Sequence, residues 1–341
     1  MGIHTQALDA SIPKLNEQVL AIRRQGDHEM ISDVEADQDE VISLVTDLYE
    51  RLKEKEDEAN KLRHHQEMLK VPTTQFTDLE DTIRDMEMKK NLWTSLKRWS
   101  ELQNEWQTAQ FDSINADEIN AEVQKFSRTA AQCERALEGN RVVPRLKAQV
   151  NNFKNTMTVV LDLRNEALKP RHWAQIEFTI NQKITRDETF TLGWLLENNV
   201  MEYKEEIATI STQATQEATL EDLLKKVIAS WADIDFELHT HKESTILGGL
   251  DDIIQHLEDS LLTISTISGS QFVAPIRQTV QDWEHKLLLT QETLDEWLAV
   301  QRAWLYLESI FSAQDIARQL PEESKLFNEV DKFWKGTLTI G

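Results

Sequence analysis

Residues 280–311 read VQDWEHKLLLTQETLDEWLAVQRAWLYLESIF. Trp283, Leu287, Leu294, Trp297, Trp304 and Phe311 fall on positions that repeat by seven, with Val280 leading in. Large apolar side chains at that spacing share one face of a helix, and such a face is buried against other helices. Leu288, Leu298, Leu305 and Leu307 widen the stripe beyond a two-helix seam. The run therefore predicts a long helix packed on several neighbours, as in a bundle interior.

Composition extends this reading to the whole chain. Of 341 residues only 9 are Gly and 6 are Pro, about a third of ordinary usage. β-sandwiches and doubly wound α/β folds need many tight turns, which those residues supply. The expected fold is all-α, an elongated rod of stacked helical bundles. One small β-hairpin is added where Ile234, Phe236 and Leu238 alternate with Asp235, Glu237 and His239. His241-Lys242-Glu243-Ser244 turns that hairpin and Thr245-Ile246-Leu247 returns it.

Trp usage divides the sequence. All 10 Trp lie at Trp93 or later, and before them the aromatic residues are Tyr49 and Phe76. This predicts a charged helical segment over 1–87 and a Trp-rich body over 88–341. In the first, Val41, Leu44, Leu48, Leu52, Ala59 and Leu62 form one thin apolar stripe, which requires a partner helix within or outside the chain. Pro72 ends that helix, and Thr77 or Asp78 is placed to cap the next. Leu92, Leu96, Trp99 and Trp106 follow on it. Asn115 caps a helix that runs to about Leu137, where Gly139-Asn140 stops it. Another spans Pro144 to Ala167, and Pro170 breaks it. Trp173, Ile176 and Phe178 open a shorter amphipathic segment. Further helices are expected over Thr191–Ile210, after Thr219, and over Leu250–Thr263, with later breaks at Pro321, Gly336 and Gly341.

The residues exclude several functions. The formal net charge of −23 repels phosphate, which argues against nucleic-acid binding, and no apolar run reaches membrane-spanning length. Met1-Gly2-Ile3-His4-Thr5-Gln6 carries neither a secretory nor a myristoylation pattern. Cys133 is the single cysteine, which precludes an internal disulfide and favours a cytosolic setting. No phosphate-binding loop or dinucleotide fingerprint occurs, so no ATPase activity and no cofactor are expected. His239 and His241 share a strand face with Asp235 and Glu237, but no second motif completes a tetrahedral metal set, and a solvated face is the better reading. His64 and His65 point apart on a helix. Pairs such as Glu205-Glu206 and Asp251-Asp252 lack a pocket to tune them. Catalytic, cofactor and metal residues are therefore expected to be none.

From about Met88 the sequence resembles the linker region of dynein heavy chains, the part that joins the tail to the AAA+ motor ring. The resemblance is carried by Leu92-Trp93 through Trp99 and Trp106, by Leu168-Lys169-Pro170-Arg171-His172-Trp173, and by Thr191-Leu192-Gly193-Trp194-Leu195-Leu196. Trp231 with Asp235-Phe236-Glu237-Leu238 continues it. The most specific match is Gln301-Arg302-Ala303-Trp304-Leu305-Tyr306-Leu307-Glu308-Ser309-Ile310-Phe311, followed by Asp315-Ile316 and Leu320-Pro321-Glu322-Glu323-Ser324. Pro170, Arg171, His172, Trp173, Trp297, Trp304, Phe311 and Pro321 become family-motif packing positions.

The resemblance, axonemal in style, implies the end of the tail plus the first part of the linker, incomplete at Gly341. It implies a mechanical role, carrying the ATP-driven movement of the ring to the tail and cargo. Its implied partners are the AAA+ ring of the same heavy chain, and dynein light or intermediate chains and other heavy chains through the N-terminal helices. No direct microtubule binding by this fragment is expected, and the implied location is the cytoskeleton of a cilium or flagellum. The competing reading is a non-motor helical scaffold or tethering protein of spectrin-like type. That reading predicts a repeat of about a hundred residues, and the Pro170 and Trp304 segments do not recur.

Overall fold

The computed structural model describes residues 2–338, with side chains at Gln6 and over 10–337. Met1, Gly341 and the leader reading that starts from Met1 lie outside the described residues. Thirteen α-helices and one two-stranded antiparallel hairpin occur among the described residues. The chain divides into two compact units, 1–211 and 212–341.

The first unit contains α1 (Gly2–Gly26), α2 (Glu29–Ser32), α3 (Gln38–Met68), α4 (Thr77–Thr108), α5 (Ala116–Ala136), α6 (Val142–Leu163), α7 (Pro170–Ile180) and α8 (Leu192–Glu197). The thin stripe of α3 finds its partners inside the chain, because α3 packs on both α1 and α4. Val41, Val45, Leu48 and Leu52 are fully buried there. The boundary expected near residue 87 falls inside α4, and the buried residues from Leu15 to Ile210 form one core that includes both sides of it. Two long-range bonds tie the charged segment to the Trp-rich one. The Trp93 indole N–H donates to the Ile31 carbonyl at 3.0 Å, and the Lys89 ammonium donates to the Gly26 carbonyl at 2.9 Å, closing the C-terminus of α1.

Local signals decide most helix ends. Asp37 caps α3, its carboxylate accepting from the Asp39 and Glu40 amides, and Asn115 caps α5 by accepting from the Glu118 amide. The cap expected from Thr77 or Asp78 is not made: Thr77 is already the first residue of α4, behind Phe76, which offers no side-chain acceptor. Gly139 reverses the chain at φ 78°. The helix expected over Thr191–Ile210 is instead broken after α8, where Asn199 takes a left-handed conformation before a 3₁₀ turn, Val200–Tyr203.

A single helix, α9 (Lys204–Ser230), then runs past Thr219, where a new start was expected. The Thr219 hydroxyl donates to the Thr215 carbonyl one turn back, so it sits within the helix and does not cap it.

The second unit continues with β1 (Glu237–His241), β2 (Ser244–Gly248), α10 (Asp251–Ser268), α11 (Arg277–Phe311), α12 (Gln314–Gln319) and α13 (Pro321–Leu338). The hairpin is in register Leu238↔Leu247, with His241 opposite Ser244. Its first strand starts three residues later than the alternation suggests. α11 packs on α10 and α13, and α13 also meets β2. Gly336 lies inside α13 and breaks nothing. No helix of the described residues is long and apolar enough to cross a membrane.

Candidate functional site

The family-motif positions fall in two places. In the first unit Pro170 is the first residue of α7, where its missing N–H costs nothing. His172 is wholly buried, and its Nδ1 accepts from the Lys169 amide at 3.0 Å, so the ring closes the helix it belongs to. Trp173 is half-buried. It meets Phe190 edge-on at 6.5 Å and carries the Arg186 guanidinium over its ring at 4.8 Å. Arg171 is exposed. Phe178, expected on the apolar face with Trp173 and Ile176, is 89% exposed, because it lies about 200° around the helix from Ile176, away from the face that buries His172, Ile176 and Ile180.

In the second unit, α11 builds the other place. Its fully buried seam is narrower than the sequence suggests: Val280, Leu287, Leu294, Gln301 and Trp304. Leu288 and Leu307, expected to widen it, are exposed, since α10 and α13 leave that flank uncovered. Trp304 is 2% exposed and stacks on Trp334 at 5.8 Å, and its indole N–H donates to the Asp331 carboxylate at 2.9 Å. Trp297, expected to be buried like Trp304, is only half-buried. It leans on Trp334 at 5.1 Å and lines a groove with Leu289, Val300 and Phe333. Phe311 stacks on Phe327 at 5.4 Å, and Pro321 starts α13, the helix that carries Phe327 and Trp334.

Two polar residues of the Gln301–Phe311 motif take roles that the motif itself does not assign. Gln301 occupies a buried seam position, and Glu308 lies seven residues on. Glu308 receives the Lys242 ammonium at 2.8 Å and stands 3.0 Å from Nε2 of His241. The first signal was readable, as a polar residue on the heptad between Leu294 and Trp304. The second was not, because its partners lie 66 and 67 residues away.

The hydrogen bond from Lys242, then that from His241, hold the Glu308 carboxyl below its ordinary value. The sign follows directly. The contact contributes fully above the unfolded carboxylate pKa and is lost as pH falls through the lower folded one. Acid titration should therefore free the hairpin tip only below the usual Glu range. In Glu308→Gln this acid step should be absent, which NMR of the His241 ring would report.

The other candidates lead elsewhere. His239 pairs with Glu237 at 3.5 Å while His241 turns to Glu308, so the strand-face histidines do not converge. No group of three or more His, Cys, Asp or Glu suited to a metal lies together among the described residues. Cys133 is buried, and desolvation pushes its thiol pKa up, which suits packing and not nucleophilic attack.

Residues 79–340 match the family model described as dynein heavy chain, N-terminal region 2. Dynein axonemal heavy chain 6 of Homo sapiens is 39% identical over 332 residues, covering 96% of this chain and 8% of that protein. Dynein axonemal heavy chain 10 of Homo sapiens is 32% identical over 294 residues, 84% of this chain and 7% of that protein. Dynein axonemal heavy chain 1 of Rattus norvegicus is 30% identical over 302 residues, 87% and 7%. The chain spans less than a tenth of the length of these relatives.

Proposed function

Because this chain belongs to the dynein heavy chain family, in its N-terminal region and of axonemal type, we propose that it is a mechanical element of the motor. In this reading it forms the end of the tail and the first part of the linker, and it passes the movement of an ATP-driven AAA+ ring towards the tail. The ring belongs to the same heavy chain, outside these residues. The fragment itself transmits force, turns over no substrate and needs no cofactor. Light or intermediate chains and neighbouring heavy chains are its proposed further partners, and the ciliary or flagellar axoneme its proposed place.

The observation that carries the proposal is α11 with its packing. The helix is 35 residues long without a break, roughly 50 Å at 1.5 Å per residue. It is braced along one face by α10, by the hairpin and by the Trp297–Trp334–Trp304 stack. A lever must resist bending, and a braced helix with interlocked indoles does so far better than a helix in water.

In a complete heavy chain, Trp304→Ala should slow microtubule gliding several-fold while ATP turnover stays near normal. The change softens α11 and leaves nucleotide chemistry untouched. Equal loss of gliding and turnover would show that this region does not act as the lever, and normal gliding would defeat the mechanical reading.

A further inference from the structure

The hairpin is attached to α11 at two points of different kind. The first lies on β2. The Leu247 amide donates to Oε1 of Gln301 at 2.9 Å, and Nε2 of Gln301 donates back to the Leu247 carbonyl at 2.9 Å. One carboxamide thus pairs with the free edge of β2 as a third strand would. Gln301 is 5% exposed, and its oxygen also accepts from the Trp297 indole at 3.4 Å. This point is neutral and buried.

The second point is at the hairpin tip and is ionic. Glu308 alone holds both His241 and Lys242, which are partly open to solvent. One feature of the tip works against closure. Ser244, opposite His241, is buried and its hydroxyl has no partner, so opening would hydrate it. Beneath the tip lies Trp304, whose ring meets the His241 edge at 5.8 Å.

We propose that the hairpin is a flap, hinged on the Leu247–Gln301 pair and latched over Trp304 by Glu308. Charge releases the latch and leaves the hinge intact. The charged groups at the latch are Lys242 and Glu243 of the turn, Glu308 of α11, and Asp331 and Lys335 of α13, which form an ion pair of their own beside Trp304. Anything that screens Glu308, or competes for it, lifts the tip and exposes the Trp304 indole. The inference rests on this unit's own geometry and not on the motor reading.

Hydrogen exchange of the 341-residue chain, read by mass spectrometry, tests it. In the unmodified chain, moving from low salt to 1 M KCl, where screening reaches within about 3 Å, should speed exchange at 241–244 and leave His239 and its partner Ile246, with 247–248, unchanged. Glu308→Gln should produce the same pattern at low salt, with a rise of roughly tenfold at the tip, the scale of a lost charged hydrogen bond. Gln301→Leu should speed exchange along the whole hairpin. Salt-insensitive exchange at the tip of the unmodified chain would overturn the proposal. So would equal acceleration of 241–244 and 246–248 in Glu308→Gln, which would mean the whole ladder opens together and Gln301 is no hinge. If Glu308→Gln disturbs α11 itself, the salt series on the unmodified chain decides.

Discussion

Removing residues 1–70 should unfold the first compact unit outright. The deletion takes away α1, α2 and α3, and with them Leu15, Val19, Ile22, Ile31, Val41, Val45, Leu48 and Leu52, all buried in the core shared with α4. At ~1.5–3 kcal/mol for each of these eight buried aliphatic side chains, the burial lost is as large as or larger than the ~5–15 kcal/mol by which a domain is ordinarily stable. It also strands polar groups. Trp93 loses the Ile31 carbonyl, and Lys89, 8% exposed, keeps Asp85 but loses Gly26 and Asp27. An unpaired indole N–H in a core costs a further ~1–3 kcal/mol. Hydrogen exchange should show α5 and α6 unprotected in the truncated chain. Native protection there would support a boundary near residue 87.

Trp99→Ala should be the most damaging single substitution in that unit. Trp99 is fully buried at the meeting of α4, α5 and α6. Its ring faces Trp106 at 5.9 Å, Phe126 at 5.3 Å and Phe153 at 5.5 Å, each edge-on. Emptying a buried aromatic site costs about 3–5 kcal/mol, and aromatic pairs add ~0.5–1.5 kcal/mol each beyond area, so the expected loss lies at the top of that range. The comparison with Trp99→Phe is informative. The Trp99 indole N–H is buried without a hydrogen-bond acceptor. Phe removes that unsatisfied donor, offsetting part of the lost volume, and should cost far less than Ala. Urea midpoints of the two variants would show the difference; similar losses would mean the polar edge is not a liability.

The fates of individual residues show what could be read in advance. The Val280–Leu294 seam, Trp304, the Asn115 cap, the Gly139 reversal and the hairpin turn at Lys242-Glu243 all stand where the sequence puts them. Each depends on spacing or backbone preference within a few residues, which a chain carries wherever it folds. The merged helix α9, Asp37 as the cap of α3, and the exposure of Phe178 were not legible in this way. At such places several local outcomes are close in energy and neighbours decide among them.

By itself the sequence determined that this protein is helical, that α11 has a buried heptad face, and that the chain belongs with the dynein heavy chains. Periodicity and motif order are properties of the string. Tertiary structure alone decided that α3 is sheathed by α1 and α4, that Trp297 stays half open, and that Gln301 and Glu308 grip the hairpin. The reason is distance along the chain. A helix pattern says that a face must be covered but not by what, because burial is non-directional. A polar side chain likewise reveals its role only when its partner, here 54 to 67 residues away, is brought within about 3 Å.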